Sequence, residues 1–183
     1  MSSSSQTLPE ILNKSVAACS RFFKIETLQL RFSNGEQREF ERMQGGNQGA
    51  VLVVPFYDKE TILLIREYAA GTHSYELGFP KGLIDPGETP VEAANRELKE
   101  EVGFGAKEFT ELKKVVMAPS YFSSEMTLFM AKDLYPESLI GDEPEPLEVI
   151  KWPLSKADEL LNRDDFQEAR SISALLWVMK NYK

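Results

Sequence analysis

A single cysteine, Cys19, leaves no partner for an internal disulfide and no set of thiolates for a cysteine-built zinc site. A single histidine, His73, excludes a histidine-cluster metal site but leaves a one-histidine mechanism open. Long apolar runs are also missing. The most apolar stretch, Gly49 to Tyr57, is far too short to span a bilayer and contains Pro55. The first residues, Met1-Ser2-Ser3-Ser4-Ser5-Gln6, carry neither the basic segment nor the apolar core of a signal peptide, so a cytoplasmic protein is expected. Basic residues are in deficit, 21 against 29 acidic ones, for a net charge of −8. A chain of that sign is ill suited to hold nucleic acid by neutralising phosphates, and neither a nucleic-acid nor a membrane partner is expected.

What remains is an ordinary globular composition, 42% apolar and 27% charged over 183 residues, enough for one domain with a small appendage. Residues 1–45 read as a tail followed by a β-hairpin and form a possible dimerisation element; the main domain is expected over 46–183. The hairpin signal is alternation over Glu26–Phe32, with Leu28, Leu30 and Phe32 on one face, then Asn34-Gly35 and a return strand at Glu39–Met43. Ala50–Val54 and Thr61–Ile65 are continuous apolar runs joined by a turn at Tyr57–Glu60, which predicts strands buried on both faces. Further strands are predicted at Glu111–Val116, Met126–Ala131 and Leu147–Trp152. Helices are predicted at Ala157–Leu161 and at Phe166–Met179, the second with a stripe of Ala169, Ile172, Leu176 and Met179. Strands mixed with a few helices, without regular alternation, indicate an α+β fold.

The chemistry concentrates in Gly82–Phe104. Asp85-Pro86-Gly87-Glu88 is a turn by composition. Thr89, Pro90 and Glu92 then form the N-cap, first helical position and capping-box partner of a helix whose inward stripe is Val91, Ala94, Leu98 and Val102, and Gly103 stops it. Glu97, Glu100 and Glu101 lie at i, i+3 and i+4, within an arc of about 100°. Alone, such a cluster reads as a solvated acidic face. With a hard divalent cation it becomes a site, because oxygen donors select Mg²⁺ or Mn²⁺ and such ions bridge to phosphates. A second acidic stretch, Gly141–Glu148, has Pro144 and Pro146 to stiffen it. Each of the two stretches carries a net charge of −4, together the whole of the chain's −8.

The full spacing decides between these readings. Gly82, Glu88, Arg96-Glu97-Leu98, Glu100-Glu101 and Gly103-Phe104 match at every fixed position the signature of the Nudix hydrolases, and the segment resembles that family's box. Ile65-Arg66-Glu67-Tyr68, Tyr75-Glu76-Leu77, Met117-Ala118-Pro119-Ser120 and the acidic Glu-Pro-Glu loop follow the order of its ADP-ribose pyrophosphatase branch. The strings Tyr75–Glu88 and Ala118–Ser124 are similar to those of bacterial hydrolases of ADP compounds. The resemblance implies an α/β/α sandwich with a mixed sheet. It implies metal ligation by Glu97 and Glu101, with help from Glu100 and from the backbone carbonyl of Lys81, and support of the ligands by Glu88 and Arg96. It places a general base at Glu145, with Glu143 second, and phosphate or adenine contacts at Arg66 and Arg42. Tyr121 and Phe122 become candidates for stacking on a base or for packing.

The implied reaction is Mg²⁺-dependent hydrolysis of the diphosphate in ADP-linked small molecules, by a homodimer paired through its N-terminal strands. Ala69-Ala70-Gly71 stands where many ADP-ribose enzymes have an arginine, and the segment before the box is two residues longer than usual. Both departures point to a broader range that includes ADP-ribose, NADH and dinucleoside polyphosphates. The competing readings are a Nudix hydrolase of another nucleoside diphosphate derivative such as an RNA 5′ cap, and a nucleotide sensor that does not cut.

Overall fold

The computed structural model describes residues 6–45 and 48–182, so the serine-rich start of the tail lies outside the described residues. Two units separate by their internal contacts, residues 1–45 with 118–124 and residues 46–117 with 125–183.

In the smaller unit, β1 (Glu10–Cys19), β2 (Lys24–Arg31) and β3 (Gln37–Met43) form an antiparallel sheet in that order. The expected hairpin is β2–β3. Its turn is closed by the Gly35 N–H donating to the Phe32 carbonyl at 2.9 Å, with Gly35 at φ 85°. β1 corrects the expectation of an unstructured tail: residues 10–19 are a third strand, paired along β2. They carry no alternation to betray it because both faces of β1 are largely exposed. Leu28 is the buried residue at the centre of this sheet. The 118–124 segment folds onto β3, where the Met43 N–H donates to the Tyr121 carbonyl and the Ser123 N–H to that of Met43.

The larger unit holds two sheets. One has the order β7 (Lys81–Leu83), β4 (Ala50–Pro55), β9 (Glu125–Pro136), β8 (Phe104–Val116), with β4 and β9 parallel. The other has the order β10 (Glu148–Pro153), β5 (Thr61–Ala69), β6 (Ser74–Gly78) and is antiparallel. The Tyr57–Glu60 turn therefore passes the chain from one sheet to the other. β4 is buried on both faces, as its apolar run requires. Val51 and Val53 face one core with Ala93, Ala94 and Leu98 of α1 (Pro90–Glu101), while Leu52 and Val54 face another with Leu160 of α2 (Ala157–Leu161) and Ala174, Leu175 and Val178 of α3 (Ala169–Asn181). This gives the helix–sheet–helix layering expected of the α/β/α sandwich.

Three local expectations need correction. β8 starts at Phe104, directly after the α1 stop, and reaches Val116 through an irregularity between Glu111 and Lys113 that interrupts the alternation. Val91 is exposed rather than inward, and Ala93 takes the buried place in the first turn. The buried face of α3 is Ser171, Ala174, Leu175 and Val178, so Leu176 points to solvent. A serine holds a core position because its hydroxyl is fully satisfied. Ser171 Oγ accepts from the Phe79 N–H at 3.2 Å and donates to Glu168 Oε2 at 3.1 Å. Ser171→Ala leaves the buried Phe79 N–H without that acceptor, and unfolding in urea is expected to show a loss of about 1–3 kcal/mol.

Candidate active site

The site is assembled from β7, the turn that follows it, α1 and the acidic loop 141–147. The turn is closed by the Glu88 N–H on the Asp85 carbonyl at 3.0 Å, with Gly87 at φ 94°. At the helix start, Glu92 N–H donates to Thr89 Oγ1 and Thr89 N–H to Glu92 Oε2, so the expected capping box is present. At the helix end the Val102 N–H donates to the Leu98 carbonyl, and Gly103 turns left-handed at φ 75°. These local devices set where the glutamates of α1 point.

Arg96 sits at the centre of the acidic cluster. Its Nε donates to Glu88 Oε1 at 2.8 Å, and Nη2 to the Leu83 carbonyl and Glu88 Oε2. Nη1 donates to Glu97 Oε1 at 2.7 Å and Glu100 Oε2 at 2.9 Å. One planar guanidinium thus ties the turn, β7 and two box glutamates together, a task that its fork of donors suits and an ammonium does not. The Glu88 carboxylate is held below its ordinary pKa by Arg96, and the Arg96 guanidinium is raised chiefly by Glu88.

Glu97 and Glu101 are each only 8% exposed. Burial pushes both carboxyls up, Glu97 against the counter-pull of Arg96, and Glu101 to about 8 against that of Lys81. The Lys81 N–H donates to Glu101 Oε2 at 2.9 Å, while its ammonium pairs with Glu67. Gly82, between these groups, has no side chain for good reason: a Cβ there would fall within the Glu97 carboxylate.

Facing α1 is the loop 141–147, which with Glu97, Glu100 and Glu101 lines a cleft of about 260 Å³. An adjoining cleft adds Lys81, Gly82 and Arg96. The Leu139 N–H on the Lys99 carbonyl anchors the approach to the loop, and Gly141 lies against the Glu100 side chain. Glu143 and Glu145 each precede a proline and are biased towards extended backbone, in which residues two apart share a face. Both line the cleft. The Glu143 carboxyl is raised by burial, then by Glu67 and Asp142. Glu145 Oε1 accepts from the Tyr75 hydroxyl at 2.5 Å.

The structure therefore brings together Glu97, Glu100, Glu101, Lys81, Glu143 and Glu145, with Glu88 and Arg96 beside them. Arg66 is placed differently. It lines neither cleft, and its guanidinium is taken by Asp165 at 2.8 Å and Glu148 at 3.0 Å, across β5 and β10. Arg42 belongs to the smaller unit, where it pairs with Glu26 across β2 and β3. Tyr121 and Phe122 belong to that unit as well. Sequence reasoning missed Glu67 and Tyr75. Both stand inside strings that resemble the family, but their partners, Lys81 and Glu145, are distant in sequence.

Among the described residues, no three histidine, cysteine or acidic side chains already converge as a ligand cluster; Arg96 and the Lys81 N–H hold the carboxylate oxygens instead. The donor set nevertheless suits a hard divalent cation. It is all oxygen, and burial raises both glutamate carboxyls, a cost that a divalent cation would offset.

Residues 46–176 match the NUDIX domain family, and residues 9–42 match the NudE-type Nudix hydrolase N-terminal domain. The chain is 61% identical over 170 residues to the ADP compounds hydrolase NudE of Escherichia coli (strain K12), covering 93% of this chain and 91% of that one. It is 26% identical over 156 residues to the ADP-ribose pyrophosphatase of Bacillus subtilis (strain 168), covering 84% and 82%. A crystal structure of an ADP compounds hydrolase superposes with a TM-score of 0.91 at 59% identity, covering 97% of this chain and 96% of the other.

Proposed function

This chain belongs to the Nudix family and is a Nudix pyrophosphohydrolase, and on that footing we propose that it hydrolyses the diphosphate of ADP-linked small molecules, among them ADP-ribose, NADH and diadenosine polyphosphates, to release AMP. The observation that carries this reading is the pair of buried, box-borne glutamates, Glu97 and Glu101, facing a loop that presents Glu143 and Glu145.

In this reading Glu97, Glu101 and the Lys81 carbonyl hold Mg²⁺, or Mn²⁺ in its place, with Glu100 assisting. The ion when bound neutralises the diphosphate and stabilises the charge that develops on its oxygens. The chain's own groups do the rest. Arg96 keeps Glu97 and Glu100 aimed and is itself fixed by Glu88 and the Leu83 carbonyl. Glu145 accepts the proton of the attacking water as its oxygen bonds to phosphorus and the bridging phosphorus–oxygen bond breaks, leaving AMP and a phosphorylated remainder. Glu143 is the alternative base. Burial raises its carboxyl above the ordinary carboxylate range. Arg66, already neutralised by two carboxylates, is better suited to hold β10 and the end of the acidic loop than to bind phosphate.

The smaller unit exposes Ile11, Val16, Phe22, Phe23 and Phe40, and we assign this sheet to pairing with a second copy of the chain. Light scattering at two concentrations tests the dimer. No helix among the described residues is long and apolar enough to cross a membrane. We place the enzyme in the cytoplasm.

The test is AMP release from ADP-ribose, NADH and diadenosine triphosphate, with and without Mg²⁺, for the wild type and Glu101→Gln. Mg²⁺-dependent AMP that the variant fails to produce is expected. A folded protein that binds Mg²⁺ yet releases AMP from none of the three overturns the substrate assignment.

A further inference from the structure

The β5–β6 hairpin carries an aromatic group that neither the fold nor the box accounts for. Tyr68 and Tyr75 are cross-strand partners, and their rings meet edge to face with centroids 5.8 Å apart. The Tyr68 hydroxyl is 2.8 Å from Nδ1 of His73, the chain's only histidine. The His73 ring also stands at 90° to that of Tyr68. His73 itself takes φ 53°, a left-handed conformation that a residue with a side chain keeps only where its surroundings hold it. These three side chains are not core: Tyr68 and Tyr75 are 44% and 52% exposed. Tyr75 is thus braced by Tyr68, which His73 holds in turn, and the Tyr75 hydroxyl ends on Glu145 Oε1 at 2.5 Å.

From this geometry we infer that Tyr75 is a positioning residue, backed by Tyr68 and His73, which holds the Glu145 carboxylate at the rim of the cleft formed with Glu97, Glu100 and Glu101. The inference rests on the reading of Glu145 as the base. The loop around Glu145 has prolines on both sides, so its backbone is stiff while the glutamate side chain keeps three free torsions. A phenol donating to one carboxylate oxygen removes most of that freedom. It also leaves the second oxygen, Oε2, free to take a proton from water. Neutral carboxamide or hydroxyl groups could tether a side chain equally well, but a phenol on a β-strand reaches the loop without entering the cleft, and its ring is braced from behind.

The test compares Tyr75→Phe, Glu145→Gln and the double variant, in the full-length protein with Mg²⁺ and ADP-ribose. The phenylalanine keeps the ring packing and deletes only the tether. For Tyr75→Phe, kcat is expected to fall about tenfold with KM essentially unchanged, as for the loss of one hydrogen bond to a charged group. In the Glu145→Gln background the same substitution is expected to cost nothing further. If Glu145→Gln is impaired while Tyr75→Phe keeps its kcat, the tether is wrong and the base stands. If KM rises with kcat held, Tyr75 touches substrate instead. If the two losses multiply in full, Tyr75 acts apart from Glu145. If Glu145→Gln turns over like the wild type, the reading of the base fails first.

Discussion

In protein stripped of divalent metal, Glu101→Gln is expected to raise the melting temperature even as it abolishes turnover. Glu101 is buried, and its carboxyl is pushed from an ordinary 4.5 to about 8. Between those values the folded chain keeps a proton that the unfolded chain gives up. Stability therefore falls as pH rises through that window, and the cost is complete above about pH 8. A displacement of that size corresponds to a penalty on the order of 5 kcal/mol. Glutamine carries no charge to bury and can still accept the Lys81 N–H, so the variant escapes the penalty. Thermal unfolding in a chelator, from about pH 5 to about pH 9, is expected to show the wild type declining more steeply than the variant, which keeps only the smaller decline from the buried Glu97 and Glu143 carboxyls. A wild type that stays level over this window would show that Glu101 bears no such burden. With Mg²⁺ restored the order reverses. The wild type gains stability from the cation and the variant does not, and AMP release by the variant is expected to stay about a thousandfold down.

Gly82→Ala is expected to lose activity while leaving stability nearly unchanged. The added methyl falls on the carboxylate end of Glu97, which is the far end of a flexible side chain. Glu97 can swing aside without moving the β7–β4 pairing at Gly82 and Val51, so the fold stays intact. The displaced carboxylate leaves both Arg96 and its place beside Glu101. Activity is expected to drop about a hundredfold with a melting temperature within a few degrees of the wild type. Gly71→Ala is the control, because nothing lies within 4 Å of a Cβ there. Full activity in Gly82→Ala would mean that Glu97 is not required where the structure puts it.

The box was legible because its logic is local. Capping, helix stop and the spacing of Glu97, Glu100 and Glu101 all operate within one turn of α1 and its flanks, and each is present as read. The same holds for β4, whose six apolar residues left no face for solvent. What failed to show in the sequence depends on partners far along the chain. Arg66, a candidate phosphate contact at a strand end, pairs with Asp165, which lies in a distant loop that its own surroundings in sequence do not reveal. Ser171 lies outside the apolar stripe read for this helix, yet it is buried because Phe79 and Glu168 satisfy its hydroxyl. β1 is a strand only because β2 supplies its hydrogen-bond partners, since its own residues favour neither face. Tyr75 gives no sign of acting on Glu145, seventy residues away.

The two walls of the cleft are fastened by different means, and this difference sets how each responds to a bound molecule. β7 joins β4 through the pairs Lys81–Leu52 and Gly82–Val51, extended by the Val53 N–H on the Pro80 carbonyl, and β4 is locked on its other edge by β9. Amide hydrogens along Val51–Val54 can exchange with deuterium only when the whole domain opens. The opposite wall, 141–147, is secured by one backbone bond at its approach, by the Arg66–Glu148 pair at its far end and by Tyr75 at Glu145, so its amides are expected to exchange through local openings at far lower cost. A firmly paired wall at β7, beside the glutamates of α1, thus faces a more compliant one that carries Glu143 and Glu145. On the proposed reading, such an arrangement holds the diphosphate shared by all the substrates in one place while giving way to whatever hangs from its far side.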